Sequence, residues 1–430
     1  MTMRLTDEEK AMRDGGRGPA VAKAMDLLIR YGEALGAEDF VYTDNIAGVP
    51  GSSPQWVKDY YAADGGDYRA VFSRFDLDSD EVVDVPRITG FSCHLQGGMD
   101  PEQWAEQGMT EEAHANFAAD EREVADHGIQ VLKTCTPYLA GNVPVMGEHC
   151  AWMESSAVVF CNSVIGGRTN CEGRESTSSA MLAKRVPNWG FHKDEFRKGQ
   201  HLIEVEVPVD STFEWGMLGY FTGDAVEDTI PVLDGRISKA ALIKHKHFGA
   251  AAASSGGVEM YHMIGITPEA PSMEAAFGGA PRGERFTYGA KERAATYERL
   301  NSVGESRDVD YVMLGCPHYS IDQLAEVAQM LDGRTVHPNS NLWIFTSRAV
   351  KATAIASGYE EIIRKAGARL MTDTCSAISQ AVPTGTKVAA FDSAKQTHYL
   401  PAIMGIEGWF GTTQDCINAA CTARWEGRLH

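Results

Sequence analysis

Hydrophobic and polar positions along the chain form two different patterns, one of helical spacing and one of short apolar runs. The segment AVAKAMDLLIRYGEALG (20–36) carries apolar residues at helical spacing, and Thr6 with Glu9 provides the residue pair of a capping box ahead of it. Farther along, short apolar runs lack clean polar alternation, which is typical of parallel strands covered on both faces. The runs are IQVLKTC (129–135), YVMLGC (311–316), NLWIFTS (341–347), ARLMTDTC (368–375) and KVAAFDS (387–393). Amphipathic stretches alternate with them, so the pattern predicts an α/β fold.

Loop-type composition marks one domain boundary. The segment EAAFGGAPRGERFTYG (274–289) concentrates glycine, proline and charge, and it is the best linker candidate in the chain. At 430 residues the chain is longer than a single hydrophobic core usually supports, so more than one domain is expected. We predict an N-terminal α/β region over 1–280 that can divide into two subdomains, a linker over 281–305, and a C-terminal α/β domain over 306–430.

Charge and cysteine content narrow the function classes. The formal net charge is −20, and an acidic surface gains no counterion release from nucleic acid or anionic lipid. We therefore expect neither nucleic acid nor membrane partners. No stretch approaches the roughly 20 apolar residues of a membrane span, and the first residues lack an apolar signal-peptide core, so a cytoplasmic location is expected. The nine cysteines, an odd number, are expected to be reduced thiols.

One cysteine stands between a predicted strand and a predicted helix. The apolar run YVMLG ends at Gly315, Pro317 argues against continuation of the strand, and Ser320 with Gln323 forms a second capping-box pair. Cys316 is therefore predicted to lie on a strand-to-helix loop. In α/β sheets such loops, at the carboxyl ends of strands, are where ligands bind.

Two further cysteines repeat this arrangement. Cys135 and Cys375 each follow an apolar run and precede serine, threonine or proline. Three thiolates can hold an iron–sulfur cluster and leave one iron without a protein ligand, whereas a closed structural site more often has four ligands. Two alternatives stay open: three buried thiols that act as small hydrophobic residues, and a nucleophilic pair of Cys316 with His318.

A glycine pair lies within a second polar constellation. The segment 147–177 places Asn162, Ser163, Arg168 and Thr169 around an apolar run and Gly166–Gly167. Backbone amides at this turn, together with Arg168, can grip a carboxylate or a phosphate. The alternative is a structural turn with a salt-bridged arginine.

The histidines divide into two groups. His245 and His247 lie beside Lys244 and Lys246, and we expect that basic stretch to be a solvated or helix-end cluster. His398 follows a predicted strand end, and it is expected to face a cleft.

Several long motifs resemble one family. They occur in the family's order and, together with LTDEEKAMRDG near the N-terminus, cover almost the whole chain: CTPYLAGNVPVMGEHCAWMESSAVVFCNSVIGGRTN (135–170), GITPEAP (265–271), LGCPHYS (314–320), DTCSAIS (373–379) and DSAKQTHYLP (392–401). They resemble the large-subunit part of aconitase X. That family belongs to the aconitase superfamily, whose three-layer α/β/α domains surround a central cleft with an iron–sulfur cluster. Its known activities are dehydrations of cis-3-hydroxy-L-proline and of mevalonate 5-phosphate.

The resemblance implies a hydro-lyase that acts on a β-hydroxy carboxylic acid. It implies that Cys135, Cys316 and Cys375 hold the cluster, whose nuclearity is left open, and that the open iron acts as a Lewis acid. The residues implied to lie in or beside the substrate site are Asn162, Ser163, Arg168 and Thr169. Arg168 would hold the carboxylate. Ser163 and His398 are the candidates for a catalytic base within this chain.

Two departures from the family pattern affect these expectations. Cys161 and Cys171 stand where Ala and Arg are expected, which keeps a cluster-free metabolite-binding relative as the alternative of another class. The small swivelling domain of the family is absent, so we expect a separate small subunit and a heterodimer. Since the central motif offers Arg168 and Arg174 but no dense basic cluster, cis-3-hydroxy-L-proline is the preferred substrate and mevalonate 5-phosphate the alternative.

Overall fold

In the part of the chain that the structure describes, three parallel sheets pack against helices, beside one antiparallel pair of strands. A computed structural model describes residues 2–49, 85–238, 240–280 and 283–429. The parallel sheets and helices confirm the predicted α/β class. No described helix combines the length and the apolar character that a membrane span requires.

The first unit contains a three-stranded parallel sheet of order β3-β2-β4 and an antiparallel pair, β1-β5. Its elements are α1 (Asp7–Arg13), α2 (Pro19–Ala34), β1 (Phe40–Tyr42), β2 (Asn45–Gly48), β3 (Phe91–His94), α3 (Glu111–Asp126), β4 (Ala151–Trp152), α4 (Ser155–Phe160), α5 (Arg174–Ala183) and β5 (Arg185–Pro187). The predicted capping box is present at α1, where Thr6 and Glu9 exchange hydrogen bonds.

The second unit is a four-stranded parallel sheet of order β8-β7-β6-β9. Its elements are β6 (His201–Val209), α6 (Thr212–Val226), β7 (Pro231–Ile237), α7 (Leu242–Gly256), β8 (His262–Met263), α8 (Met273–Phe277), β9 (Arg285–Tyr288) and α9 (Ala290–Leu300). The predicted linker 281–305 therefore contains a strand and a helix. The reason is that β9 pairs with β6 and buries Tyr288 in the core of this unit, despite the polar sequence around it.

The third unit is a five-stranded parallel sheet of order β12-β11-β10-β13-β14. Its elements are β10 (Tyr311–Tyr319), α10 (Ile321–Leu331), β11 (Asn341–Thr346), α11 (Arg348–Ala356), α12 (Tyr359–Lys365), β12 (Arg369–Thr372), α13 (Ser376–Ser379), β13 (Val388–Phe391), α14 (Ala394–Met404), β14 (Glu407–Phe410) and α15 (Thr413–Thr422). Alternate residues of β10 enter two cores, with Val312 and Leu314 on one face and Tyr311 and Met313 on the other.

Two predicted strands differ in the structure. The run 129–135 forms only an isolated bridge, between Gln130 and Cys93, because the backbone turns left-handed at Lys133 (φ 41°). Strand β10 does not end at Gly315: it continues to Tyr319 through a register shift between Leu314 and Tyr319. This bulge absorbs Pro317, which has no N–H to donate to a strand partner.

Candidate active site

Three thiols from distant parts of the chain meet at one cavity. Cys135 follows the irregular 129–135 segment, Cys316 lies in the bulge of β10, and Cys375 follows β12. All three line a cavity of about 280 Å³ at the carboxyl end of the third sheet. The backbone at Gly315 (φ 97°) requires glycine there, because a Cβ would lie 2.2 Å from the Phe345 carbonyl oxygen.

His318 joins the three thiol segments. Its backbone N–H donates to Cys135 Sγ at 3.3 Å. Its ring lies between the two other segments, with Nδ1 2.9 Å from Thr134 Oγ1 and Nε2 2.8 Å from the Thr374 carbonyl oxygen. A carbonyl can only accept, so Nε2 carries the hydrogen and the Thr134 hydroxyl donates to Nδ1. Both ring nitrogens are therefore used, and the alternative of a nucleophilic Cys316–His318 pair is not supported by this geometry.

Hydrogen-bond donors also surround the other two sulfurs. Gln96 Nε2 lies 3.6 Å from Cys375 Sγ, and the Ser393 hydroxyl is within hydrogen-bonding reach of Cys316. Burial raises the pKa of all three thiols, that of Cys316 to about 12. As thiolates they would need a nearby positive charge to offset the cost of burial.

The donors around this cavity are thiols, which are the usual ligands of iron–sulfur clusters. In the described ranges no three His, Cys, Asp or Glu side chains are grouped so as to hold a metal ion. Thiolates on a single zinc lie roughly 4 Å apart, from a Zn–S bond of about 2.3 Å, whereas the thiolates of an iron–sulfur cluster bind different irons and spread farther. Three buried thiols around one cavity, each near a hydrogen-bond donor, are a donor set whose chemistry suits an iron–sulfur cluster.

A buried ion pair lines the same cavity. Lys395 Nζ lies 2.7 Å from Glu154 Oε1, and it also contacts the hydroxyls of Ser155 and Ser156. Burial alone would lower the pKa of Lys395, but Glu154 and the neighbouring thiols outweigh burial and raise it. For Glu154, burial acts to raise the pKa, but Lys395 and the N–H of Ala157 outweigh burial and lower it. Both groups are therefore charged at neutral pH.

The mouth of the cavity is apolar and open to solvent. Ile378, Tyr399 and Ile403 line it while 51%, 39% and 45% of their surfaces remain exposed. A cluster of exposed large apolar side chains is typical of a surface that another molecule covers.

The GGRTN turn lies elsewhere and is occupied by internal hydrogen bonds. The backbone N–H groups of Gly167, Arg168 and Thr169 donate to Cys161, Glu148 and Asn162. These three N–H groups already have acceptors within the chain, which favours a structural turn over an amide cradle for an anion. The guanidinium of Arg168 pairs with Asp194 and donates to the His192 carbonyl, which is the structural alternative considered for it.

The other predicted site residues also do not line the thiol cavity. Asn162 donates to the Thr169 carbonyl, and Thr169 Oγ1 accepts from the Trp152 N–H. Ser163 lies in a π-helical turn, and its hydroxyl accepts from the Tyr261 N–H at 2.9 Å. His398 contacts the Tyr220 hydroxyl at 2.9 Å, while its neighbour Tyr399 faces the cavity.

The two charged residues that line the cavity, Glu154 and Lys395, had no predicted role. Both stand in the motifs that carry the family resemblance, but their pairing joins positions 241 residues apart and has no local signal. The two cysteines that depart from the family pattern are also outside the cavity lining. Cys161 packs against Gly167, and the Cys171 thiol donates to the Met153 carbonyl.

Comparison with known proteins assigns the family. Models of the first, second and third domains of aconitase X match residues 2–195, 199–298 and 309–422. The chain is 32% identical to the phosphomevalonate dehydratase large subunit of Methanocaldococcus jannaschii over 96% of this chain and 99% of that protein. It is 38% identical to the cis-3-hydroxy-L-proline dehydratase of Pseudomonas aeruginosa over 76% of this chain and 57% of that protein. The crystal structure of Thermococcus kodakaraensis aconitase X in its holo-form matches with a TM-score of 0.80 and 27% identity, covering 97% of this chain and 100% of that chain.

The fold, the thiol cavity and these relatives define a dehydratase, that is, a carbon–oxygen lyase. The chain belongs to the aconitase X family.

Proposed function

We propose that the substrate is cis-3-hydroxy-L-proline, with mevalonate 5-phosphate as the second candidate. The preference for the first substrate over the second rests on the charged groups that line the cavity. Among the described lining residues Lys395 is the one lysine or arginine, and Glu154 is the one carboxylate. One cation beside one anion complements an amino acid zwitterion, whose carboxylate can bind Lys395 and whose ring ammonium can bind Glu154.

The reaction removes water across two adjacent carbons of the substrate. The α-carbon loses its proton, the freed electron pair forms the carbon–carbon double bond, and the bond from the β-carbon to the hydroxyl oxygen breaks. Lys395 stabilises the negative charge that develops on the carboxylate side as the proton leaves. Ser155 and Ser156 keep the Lys395 ammonium directed into the cavity, at 3.2 and 3.0 Å from Nζ.

The thiols of Cys135, Cys316 and Cys375 would hold an iron–sulfur cluster. When bound, such a cluster supplies Lewis acidity that eases departure of the hydroxyl oxygen. The His318 N–H, the Gln96 amide and the Ser393 hydroxyl are available to the sulfurs as donors. These donors would stabilise the negative charge of the thiolates.

The second candidate rests on the relatives. Large subunits named phosphomevalonate dehydratase match this chain almost end to end, for example at 34% identity over 96% of this chain and 98% of the protein from Methanothermobacter thermautotrophicus. A phosphate and a carboxylate would bring two anionic groups to a wall where Lys395 already pairs with Glu154. One paired lysine complements two anionic groups poorly, so we rank mevalonate 5-phosphate below cis-3-hydroxy-L-proline.

A small subunit is the proposed partner. The relatives named large subunits motivate it, and the apolar mouth of Ile378, Tyr399 and Ile403 offers the surface on which it would dock. Closure by a second chain would exclude water, which strengthens the interactions of Lys395 and Glu154 with a bound substrate.

A side-by-side turnover assay tests the substrate. Protein purified anaerobically, together with any small subunit that co-purifies, is given cis-3-hydroxy-L-proline and mevalonate 5-phosphate in parallel. We expect dehydration of the amino acid and slower or no dehydration of the phosphate ester. Dehydration of the phosphate ester alone would reverse the order of the two candidates.

A further inference from the structure

A lysine from the second unit reaches into the third unit behind the thiol cavity. Lys246, on α7, is 1% exposed. Its ammonium lies 3.2 Å from the Pro317 carbonyl oxygen and 2.7 Å from the His318 carbonyl oxygen, and it also donates to Gln323 Oε1. The three N–H groups of a lysine ammonium thus have three acceptors. The stretch expected to be a solvated basic cluster is therefore buried at a contact between two units.

Tight packing holds Lys246 in this place. Helix α7 lies so close to α6 that a Cβ on Gly219 or Gly223 would come within 2.3 Å of a backbone oxygen of α7. His247, the next residue on α7, lies 3.2 Å from Gln323 Nε2. The N-terminus of α10 and the bulge of β10 are thereby fixed from the second unit.

In the described part of the chain no carboxylate forms a salt bridge with the Lys246 ammonium, although the buried carboxyl group of Asp392 lies near enough to act on it electrostatically. The three acceptors of Lys246 are two carbonyls and an amide, all uncharged. A buried cation without a counter-charge is costly. The thiols of Cys135 and Cys316 are close enough for their negative charge, when ionised, to stabilise the ammonium. When these thiols are thiolates that hold iron, they would add negative charge to that of Asp392.

We propose that Lys246 is a positioning residue for the iron–sulfur cluster, holding the Cys316–His318 bulge in place and supplying a positive charge behind it. This inference rests on the proposed cluster. Through His318, which contacts Cys135, Thr134 and Thr374, the position of the bulge is coupled to the two other thiol segments. A positive charge behind the cluster favours its more negative, reduced state, so Lys246 raises the midpoint potential of the cluster.

The test compares variants after anaerobic reconstitution with iron and sulfide. Lys246→Met removes both the charge and the contacts, whereas Lys246→Gln keeps an N–H donor and removes the charge. His245→Gln is the matched control: His245 is also buried on α7, but its ring contacts the Tyr261 hydroxyl instead of β10. Iron per chain, visible absorption and midpoint potential are measured, and circular dichroism reports the fold.

We expect Lys246→Met to retain less than half of the wild-type iron. We expect both Lys246 variants to show a more negative midpoint potential than wild type, while His245→Gln keeps the wild-type potential. If Lys246→Met does not fold, the iron content and midpoint potential of Lys246→Gln provide the test. Folded Lys246 variants with wild-type iron content and potential would overturn the role of Lys246. Failure of the wild-type chain itself to take up a cluster would instead overturn the proposed function.

Discussion

Lys395 and Glu154 form an ion pair 2.7 Å long between the third and the first unit, and the pair faces the same cavity as the three thiols. The two side chains are 16% and 15% exposed. Little water reaches them, so each charge is stabilised mainly by the other. These two oppositely charged groups in the wall of a thiol-lined cavity give the site its polarity.

Lys395→Met should both weaken catalysis and destabilise the protein. A charge-assisted hydrogen bond is worth about 1.5–3 kcal/mol, so kcat/KM should fall roughly 10- to 100-fold. The carboxylate of Glu154 would stay buried without its partner, which costs about 3 kcal/mol of unfolding free energy. Lys387→Met, at an exposed lysine of the same unit, is the control.

Adding Glu154→Gln to Lys395→Met separates the two effects. The double variant removes the uncompensated charge, so much of the stability should return in a denaturant melt, while turnover stays low. Recovery of turnover together with stability would show that the pair is structural and does not bind substrate.

Ser163→Ala should lower stability without a large effect on turnover. The Ser163 hydroxyl accepts from the buried N–H of Tyr261, and an unsatisfied buried N–H costs about 1–3 kcal/mol. We expect kcat/KM to stay within about threefold of wild type. A loss of 100-fold or more with an unchanged melting temperature would instead support Ser163 as a catalytic base within this chain.

Local signals predicted the parts of this fold that depend on neighbouring residues. The capping boxes of Thr6 with Glu9 and of Ser320 with Gln323 are both present. Cys375, which follows β12, and Cys316, in the bulge of β10, meet at the carboxyl end of one parallel sheet as the rule for such sheets predicts, whereas Cys135 joins them from the irregular 129–135 segment.

Features set by tertiary packing were not predictable in this way. Lys246 has a solvated-looking sequence neighbourhood, but α7 is buried because small residues let it approach α6 closely. The GGRTN turn has the composition of an anion site, yet its amides donate to the surrounding chain. In both cases the deciding contacts come from residues far away in the sequence.

A buried carboxyl group makes stability depend on pH. Burial raises the pKa of Glu172 to about 7 from its usual 4.5, with partial offset by Ser176 and Tyr31. The folded protein therefore holds this proton more tightly than the unfolded chain does. The resulting stabilisation is complete below pH 4.5 and is lost as the pH rises to about 7, at about 1.4 kcal/mol per pH unit.

Glu172→Gln should abolish the loss of stability that accompanies the rise in pH, because an amide does not ionise. We expect the variant to melt at a higher temperature than wild type at pH 8 and the difference to shrink at pH 5. Glu175→Gln, at an exposed residue in the first turn of α5 just after Glu172, should show no such trend. An equal difference between Glu172→Gln and wild type at both pH values would contradict the raised pKa.

Ile403→Asp should weaken association with a small subunit. The change puts a charge into the apolar mouth formed with Ile378 and Tyr399, and burying an unpaired charge at an interface is unfavourable. Ile355→Asp is matched for chemistry, since Ile355 is 56% exposed and lies away from this cavity. Co-purification of the small subunit should be lost for Ile403→Asp and kept for Ile355→Asp; equal retention by both would locate the docking surface elsewhere.

Turnover measured against bound iron tests the central claim most directly. The chain is reconstituted anaerobically to a series of iron contents, and dehydration of cis-3-hydroxy-L-proline is followed for wild type, Cys316→Ser and the control Cys421→Ser, which alters a half-buried thiol outside the cavity. We predict that turnover rises in proportion to iron in wild type and Cys421→Ser, and that Cys316→Ser loses both iron and turnover. Full dehydration by iron-free protein, or by Cys316→Ser without iron, would contradict the account.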